Sequence, residues 1–236
     1  MQQFNEAVKS LAIVVAMFFA FTTVCAASYR IPSESMVPTL KVGDRVVVSK
    51  FAYGFSRFSL PLGLGTLLPP MGRLLGSLPR RGDVVVFAHP QTGIDYIKRV
   101  IALPGDTIEM RDGAVIINGT AVPRHLTREY RFDEYAGTVI AVEEYEEKLP
   151  QGRAHTLVER PGVDFGDNFP RTTIPEGYLF VMGDNRDNSS DSRFRNGVGL
   201  LPVENLIGRA EFISFSFAAC GEIDSDCAWR ALSGLH

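Results

Sequence analysis

The chain has 236 residues, 45% of them apolar, with a formal net charge of -3, fourteen prolines and twenty-two glycines. That length and composition bury a core in one large domain, or in one domain carrying an inserted lobe, and exclude a disordered or fibrous chain. The acidic balance, with no Lys/Arg cluster interleaved with aromatics, excludes nucleic acid as a partner.

Residues 1–9 form a short polar tail. From Ser10 to Tyr29 no residue is charged, and twenty helical residues at about 1.5 Å each span roughly 30 Å, the hydrocarbon thickness of a bilayer. One N-terminal transmembrane helix over residues 10–29 is therefore predicted. The competing reading is a cleaved signal peptide, because the run ends in the small residues Cys25, Ala26, Ala27 and Ser28. A lipoprotein site at Cys25 is disfavoured by the bulky Val24 before it. Lys9, Glu6 and Arg30 flank the run too evenly for charge to orient it.

The prolines and glycines fall mainly between short Val/Ile/Phe runs, so the body is predicted to be mostly β. Residues 30–119 form its first part. A proline-framed loop leads to a strand over Arg45 to Lys50, followed by an apolar segment rich in Gly and Pro from about Ser59 to Leu78. Such a segment either packs on the core or lies at a membrane surface, and the neighbouring anchor favours the surface. Strands follow at Asp83 to Ala88, Ile94 to Ala102, Thr107 to Met110 and Ala114 to Asn118, the last two joined by an Asp112-Gly113 turn. Residues 120–173 are rich in charge and turn signals and read as an inserted lobe. Residues 174–236 return to the core through Tyr178 to Met182, close the sheet at Glu211 to Phe217, and end in a tail. Cys220 and Cys227 in that tail fit a disulfide or two free thiols. The four histidines (His89, His125, His155, His236) are scattered and no HExxH or CxxC is present, so no metal site is expected.

Ser35 lies between Pro32 and Pro38, which restrict the backbone around it. A serine in such a loop is ordinarily a turn residue, and a nucleophile needs a base. No Asp-His-Ser set is persuasive, since His89 precedes Pro90 at a strand end. Lys98 lies mid-strand among Ile97, Val100 and Ile101. A lone strand lysine is ordinarily solvated, but one pointing into an apolar cleft loses ammonium stability and supplies a neutral amine.

PSESMVPTL, RGDVVVF, DYIKRVIALPGD, a hairpin ending ING, and GDNRDNSSDSR follow an N-terminal apolar span in that order. This set resembles the bacterial type I signal peptidase (leader peptidase) family from the span to about Phe217. The resemblance implies Ser35 as nucleophile and Lys98 as general base. It implies an oxyanion hole from the Ser35 N–H and the Ser33 hydroxyl, Ser189 orienting the lysine, and Asp191 and Arg193 bracing the loop. Substrate pockets for Ala-x-Ala sites are expected from Tyr29, Ile31, Met36, Leu40 and Ile97. Glu34 and Arg195-Asn196 depart from the family pattern. The implied partners are exported preproteins bearing signal peptides and the lipid bilayer. The implied place is the outer, periplasmic face of the bacterial cytoplasmic membrane, with a single pass, residues 1–9 inside, and neither cofactor nor metal.

The expected fold is two antiparallel sheets in a coiled, partly barrel-like catalytic core with the inserted lobe upon it. A self-cleaving repressor-type Ser/Lys peptidase would share the dyad, but the anchor and the lack of a DNA-binding helical domain oppose it. A membrane-tethered β-domain that binds peptides without cutting them is opposed by the joint presence of Ser33, Ser35, Lys98 and Ser189.

Overall fold

The computed structural model describes residues 6–14, 17, 26–59, 69, 72–134, 138–162 and 165–216. Fourteen strands run through the described residues in three antiparallel sheets, one more sheet than expected. The largest orders its strands β1-β2-β14-β3-β4-β12-β13. These are β1 (Ala26–Arg30), β2 (Asp44–Ser49), β3 (Val84–Ala88), β4 (Asp95–Ala102), β12 (Tyr178–Met182), β13 (Leu201–Pro202) and β14 (Leu206–Ser216). Register shifts in the β14–β2, β14–β3 and β12–β4 pairings mark bulges, which bend the strands and curl the sheet.

The apolar run at β3 records burial on both faces. Val84, Val86 and Ala88 join one core cluster with Val46, Val48, Ile207 and Ile213. Val85 and Phe87 point the other way, into a cluster with Tyr53, Val100, Leu179, Val181 and Leu206. β3 and its neighbour β4 are thus held from both sides, which fixes the strand that carries Lys98.

The second sheet, β11-β5-β6-β7, joins β5 (Thr107–Arg111), β6 (Ala114–Ile117), β7 (Thr120–Ala121) and β11 (Phe169–Thr173). The third, β10-β9-β8, is a ribbon of β8 (Arg124–Glu134), β9 (Thr138–Lys148) and β10 (Ala154–Glu159). Residues 120–173, read as one inserted lobe, are thus divided: their first and last strands pair with the 107–117 hairpin, and the ribbon lies between them in sequence. The Asp112-Gly113 turn has φ of 46° and 75°, the doubly left-handed geometry that Asp-Gly favours in two-residue hairpins.

The N-terminal expectation is corrected in part. Residues 6–14 and 17 are helical, but Ala26 to Tyr29, the end of the predicted span, pair with Ser49 to Val46 as an edge strand. Among the described residues no helix is long and apolar enough to cross a membrane. An uncharged run satisfies either element, and here the β2 edge supplies the backbone partners that decide between them. Residues 18–25, most of the 59–71 segment and the tail from 217, with all three cysteines, lie outside the described residues.

Candidate active site

Ser35 sits in the turn that follows β1. The Ile31 N–H donates to the Asp44 carbonyl at 2.8 Å, Val37 N–H to Glu34 O at 3.0 Å, and Leu40 N–H to Met36 O at 2.8 Å, while Val37-Pro38 is a cis peptide. From the far side, the Asn185 N–H donates to the Ser35 carbonyl at 3.1 Å. A Cβ on Gly183 would collide with that carbonyl and with Ser189 Oγ, so only glycine lets the two loops meet this closely.

Lys98 projects from β4 and is 3% exposed, Ser35 7%. The Lys98 Nζ–H donates to Ser35 Oγ at 2.5 Å. Burial pushes the lysine down to about 8, against the pull of Asp191 and Asp184 and with help from Arg193. The Tyr96 ring, two residues earlier on β4, centres 5.7 Å from the same nitrogen. Ser33 Oγ lies 3.3 Å from Ser35 Oγ, so a hydroxyl dipole stands beside the nucleophilic oxygen. The sequence therefore foresaw a serine and a lysine that the fold brings into contact across 63 positions.

Ser189 is buried and its Oγ makes no well-formed hydrogen bond, to Lys98 or to another described residue, but it acts on the neighbouring Asp191 carboxylate. Burial pushes Asp191 up, but Arg193, the Gly183 N–H and the Ser189 hydroxyl outweigh it and hold the carboxyl low. Arg193 Nε donates to Asp191 Oδ1 at 2.9 Å and Nη2 to Oδ2 at 3.0 Å. The guanidinium also donates to the Arg186 carbonyl, so this pair ties the loop to itself.

Tyr29, Ile31, Met36, Leu40 and Ile97 do gather in one apolar cluster. Met36 and Leu40 are fully covered, and Ile31 and Ile97 nearly so. Gln91 Nε2 donates to the Arg195 carbonyl at 3.2 Å, and Phe194 stacks on Phe165 with centroids 5.8 Å apart.

The expectations missed a buried charge pair beside the dyad. Arg99 Nε and Nη2 donate to Asp184 Oδ1 and Oδ2 at 2.8 and 2.6 Å, and the Thr39 hydroxyl donates to the same carboxylate. The pair joins β4, the nucleophile turn and the 183–193 loop. Its signal was present in the sequence, where Arg99 precedes the apolar Val100 and Ile101 within β4 and Asp184 stands two residues past the apolar β12. A second missed pair, Arg186 with Glu147, plants the loop on the three-stranded ribbon. His155 lies near it, pushed down to about 3 by burial and by Arg99 and Arg186. His89 is also buried and accepts N–H groups from Gln91 and Thr92, which makes it a turn cap. Among the described residues no group of three or more His, Cys, Asp or Glu is placed to hold a metal ion.

The sequence matches the family described as Signal peptidase, peptidase S26, over residues 4–215. The chain belongs to this family. A protein named Signal peptidase I from Pseudomonas aeruginosa is 39% identical over 212 residues, 86% of this chain and 69% of that protein. One of the same name from Rickettsia conorii is 35% identical over 215 residues, 88% of this chain and 78% of its own length. A crystal structure of a signal peptidase I from Enterococcus faecalis V583 is 27% identical and aligns over 56% of this chain and 97% of that one, with a TM-score of 0.33. As a member of this peptidase family the chain is a hydrolase, and the buried Ser35–Lys98 contact is its candidate reacting centre.

Proposed function

We propose that this peptidase removes N-terminal signal peptides from exported preproteins after Ala-x-Ala-like sites, with Ser35 as nucleophile and Lys98 as general base. The observation that carries the reading is the 2.5 Å contact between Lys98 Nζ and Ser35 Oγ, both of them buried. A lysine pushed down to about 8 by burial is neutral in roughly a tenth of molecules at pH 7, against well under a thousandth for a free lysine.

The neutral amine takes the Ser35 proton as Oγ attacks the scissile carbonyl carbon. The Ser35 N–H and the Ser33 O–H donate to the oxyanion, an interaction that matters most where charge develops. The Lys98 ammonium then gives its proton to the departing amine, leaving an ester on Ser35. Lys98 next deprotonates a water, which attacks the ester; the bond to Ser35 Oγ breaks, Lys98 returns the proton to Oγ, and the new carboxylate leaves. Asp191 with Arg193, and Asp184 with Arg99, hold the loop and strand that frame the two reacting groups.

The apolar N-terminal run would hold the enzyme on the outer face of the bacterial cytoplasmic membrane in a single pass. Ser35 follows this run closely, so the cleft would work near the lipid surface, where signal helices present their ends. The test is cleavage of a purified preprotein by the full chain, with product masses fixing the cut. We expect cutting directly after the second Ala by the wild type, and at least a thousandfold loss (roughly) in Ser35→Ala and Lys98→Ala. Retention of turnover by either folded variant overturns the dyad.

A further inference from the structure

We propose that Glu34 gives the cleft a charge preference, favouring a basic over an acidic substrate residue directly after the scissile bond. The inference rests on the peptidase reading above and deepens it. Glu34 stands between Ser33 and Ser35 and is half-buried. Asn188 Nδ2 donates to Glu34 Oε2 at 3.3 Å. Asn188 directly precedes Ser189, so the carboxylate bridges the turn that bears the nucleophile and the loop that faces it.

Adjacent Cα atoms lie about 3.8 Å apart, so a substrate residue flanking the bond at Ser35 comes within roughly 10 Å of this carboxylate. At that range, in the intermediate dielectric of a cleft rim, one unit charge shifts a rate by about threefold to fivefold. The Debye length at 0.1 M salt is also about 10 Å, so the preference must fade as salt rises. Asp191, Asp184 and Arg193 are the charges that act most on Lys98. Any change that replacing Glu34 makes to the base acts on every substrate alike, so a ratio between substrates isolates the charge preference. Glu34→Gln keeps an oxygen that can accept from Asn188, which separates charge from the structural link.

The test uses the full chain in detergent and three Ala-x-Ala peptides that differ only in the residue after the cut: Gln, Lys or Asp. We expect the wild type to favour Lys over Asp by about tenfold or more in kcat/KM, two steps of threefold or more about Gln, with the ratio shrinking in high salt. Glu34→Gln should bring the Lys/Asp ratio close to one at all salt concentrations. An unchanged Lys/Asp ratio in Glu34→Gln overturns the proposal, as does a uniform slowing of all three peptides with the ratio preserved. If the wild type cuts none of them, the peptidase reading itself fails; cutting of the Gln peptide with no charge ratio sinks only the role of Glu34.

Discussion

Lys98 is held where its charged form is least welcome, and both rate and stability should record it. The reactive species is the neutral amine, so kcat/KM should rise with pH through about 8 and level off above it. A profile flat across that range would remove Lys98 as base. The Tyr96 ring face favours the ammonium, an interaction worth roughly 0.5–1 kcal/mol. Tyr96→Leu should therefore move the profile to lower pH, while Tyr96→Phe, which keeps the ring, should not. The stability consequence has the opposite sense to that of a paired lysine. A lysine pushed down from 10.5 to about 8 binds fewer protons folded than unfolded between those values, so stability rises with pH there. Below about 8 the full cost is present, on the order of 3 kcal/mol. Lys98→Met should thus melt higher than wild type at neutral pH, with the gain shrinking towards pH 10.5. A gain independent of pH would show that the buried charge is not its origin. Ser35 and Lys98 were legible because each lies in a short motif with a specific surrounding. What a buried hydroxyl such as that of Ser189 meets is not legible in the same way, since it depends on distances that no motif encodes.

Local elements were legible where one face pattern or one turn decided them. The DVVVF run reads as a strand, and its burial on both faces explains the missing alternation. Asp112-Gly113 announces its hairpin, and Asn118-Gly119 makes a second turn with φ of 53° and 79° that leads β6 into β7. Charged pairs between elements were not legible, because Arg99 and Asp184 are 85 positions apart. Their burial makes them consequential. Removing one partner strands the other charge, at about 3–5 kcal/mol. Asp184→Ala should lower stability by that amount in urea unfolding and depress activity as well, because the carboxylate joins the Ser35 turn through Thr39 to the Lys98 strand through Arg99. If Arg99→Leu with Asp184→Leu restores stability without activity, the pair serves geometry more than energy. Gly183→Ala tests the same junction from the backbone: its Cβ must displace Ser35 or Ser189, so activity should fall at least a hundredfold (roughly), a base-sized loss.

At the scale of the whole molecule, the sequence order conceals how the sheet is closed. β14, the last strand among the described residues, lies between β2 and β3, so the large sheet is complete only when residues 206–216 return to it; nothing local predicts that insertion. The same non-locality turned the end of the expected span into β1, since the edge of β2 is what Ala26 to Arg30 meet. This sets where truncation is tolerated. Removing residues 1–25 leaves β1 and the Tyr29 contact with the cleft cluster intact, so cleavage of a short peptide in detergent should persist. Removing residues 1–30 exposes the edge of β2 and uncovers the cluster of Ile31 and Ile97, and activity should collapse. The truncated enzyme should still adhere to lipid, because Phe51, Leu74, Leu75 and Leu78 are exposed on one stretch of the fold. Arg73 secures that stretch by donating to the carbonyls of Tyr53, Gly54, Val203 and Leu206 at 2.9, 2.8, 3.0 and 2.8 Å. Deleting the whole segment would also strip these bonds and confuse lipid binding with unfolding. The cleaner variant replaces Leu74, Leu75 and Leu78 with Ser while keeping Arg73. In vesicle co-sedimentation it should bind several-fold more weakly than the truncated parent, with peptide cleavage in detergent unchanged. Equal binding would mean that the exposed leucines do not meet the bilayer.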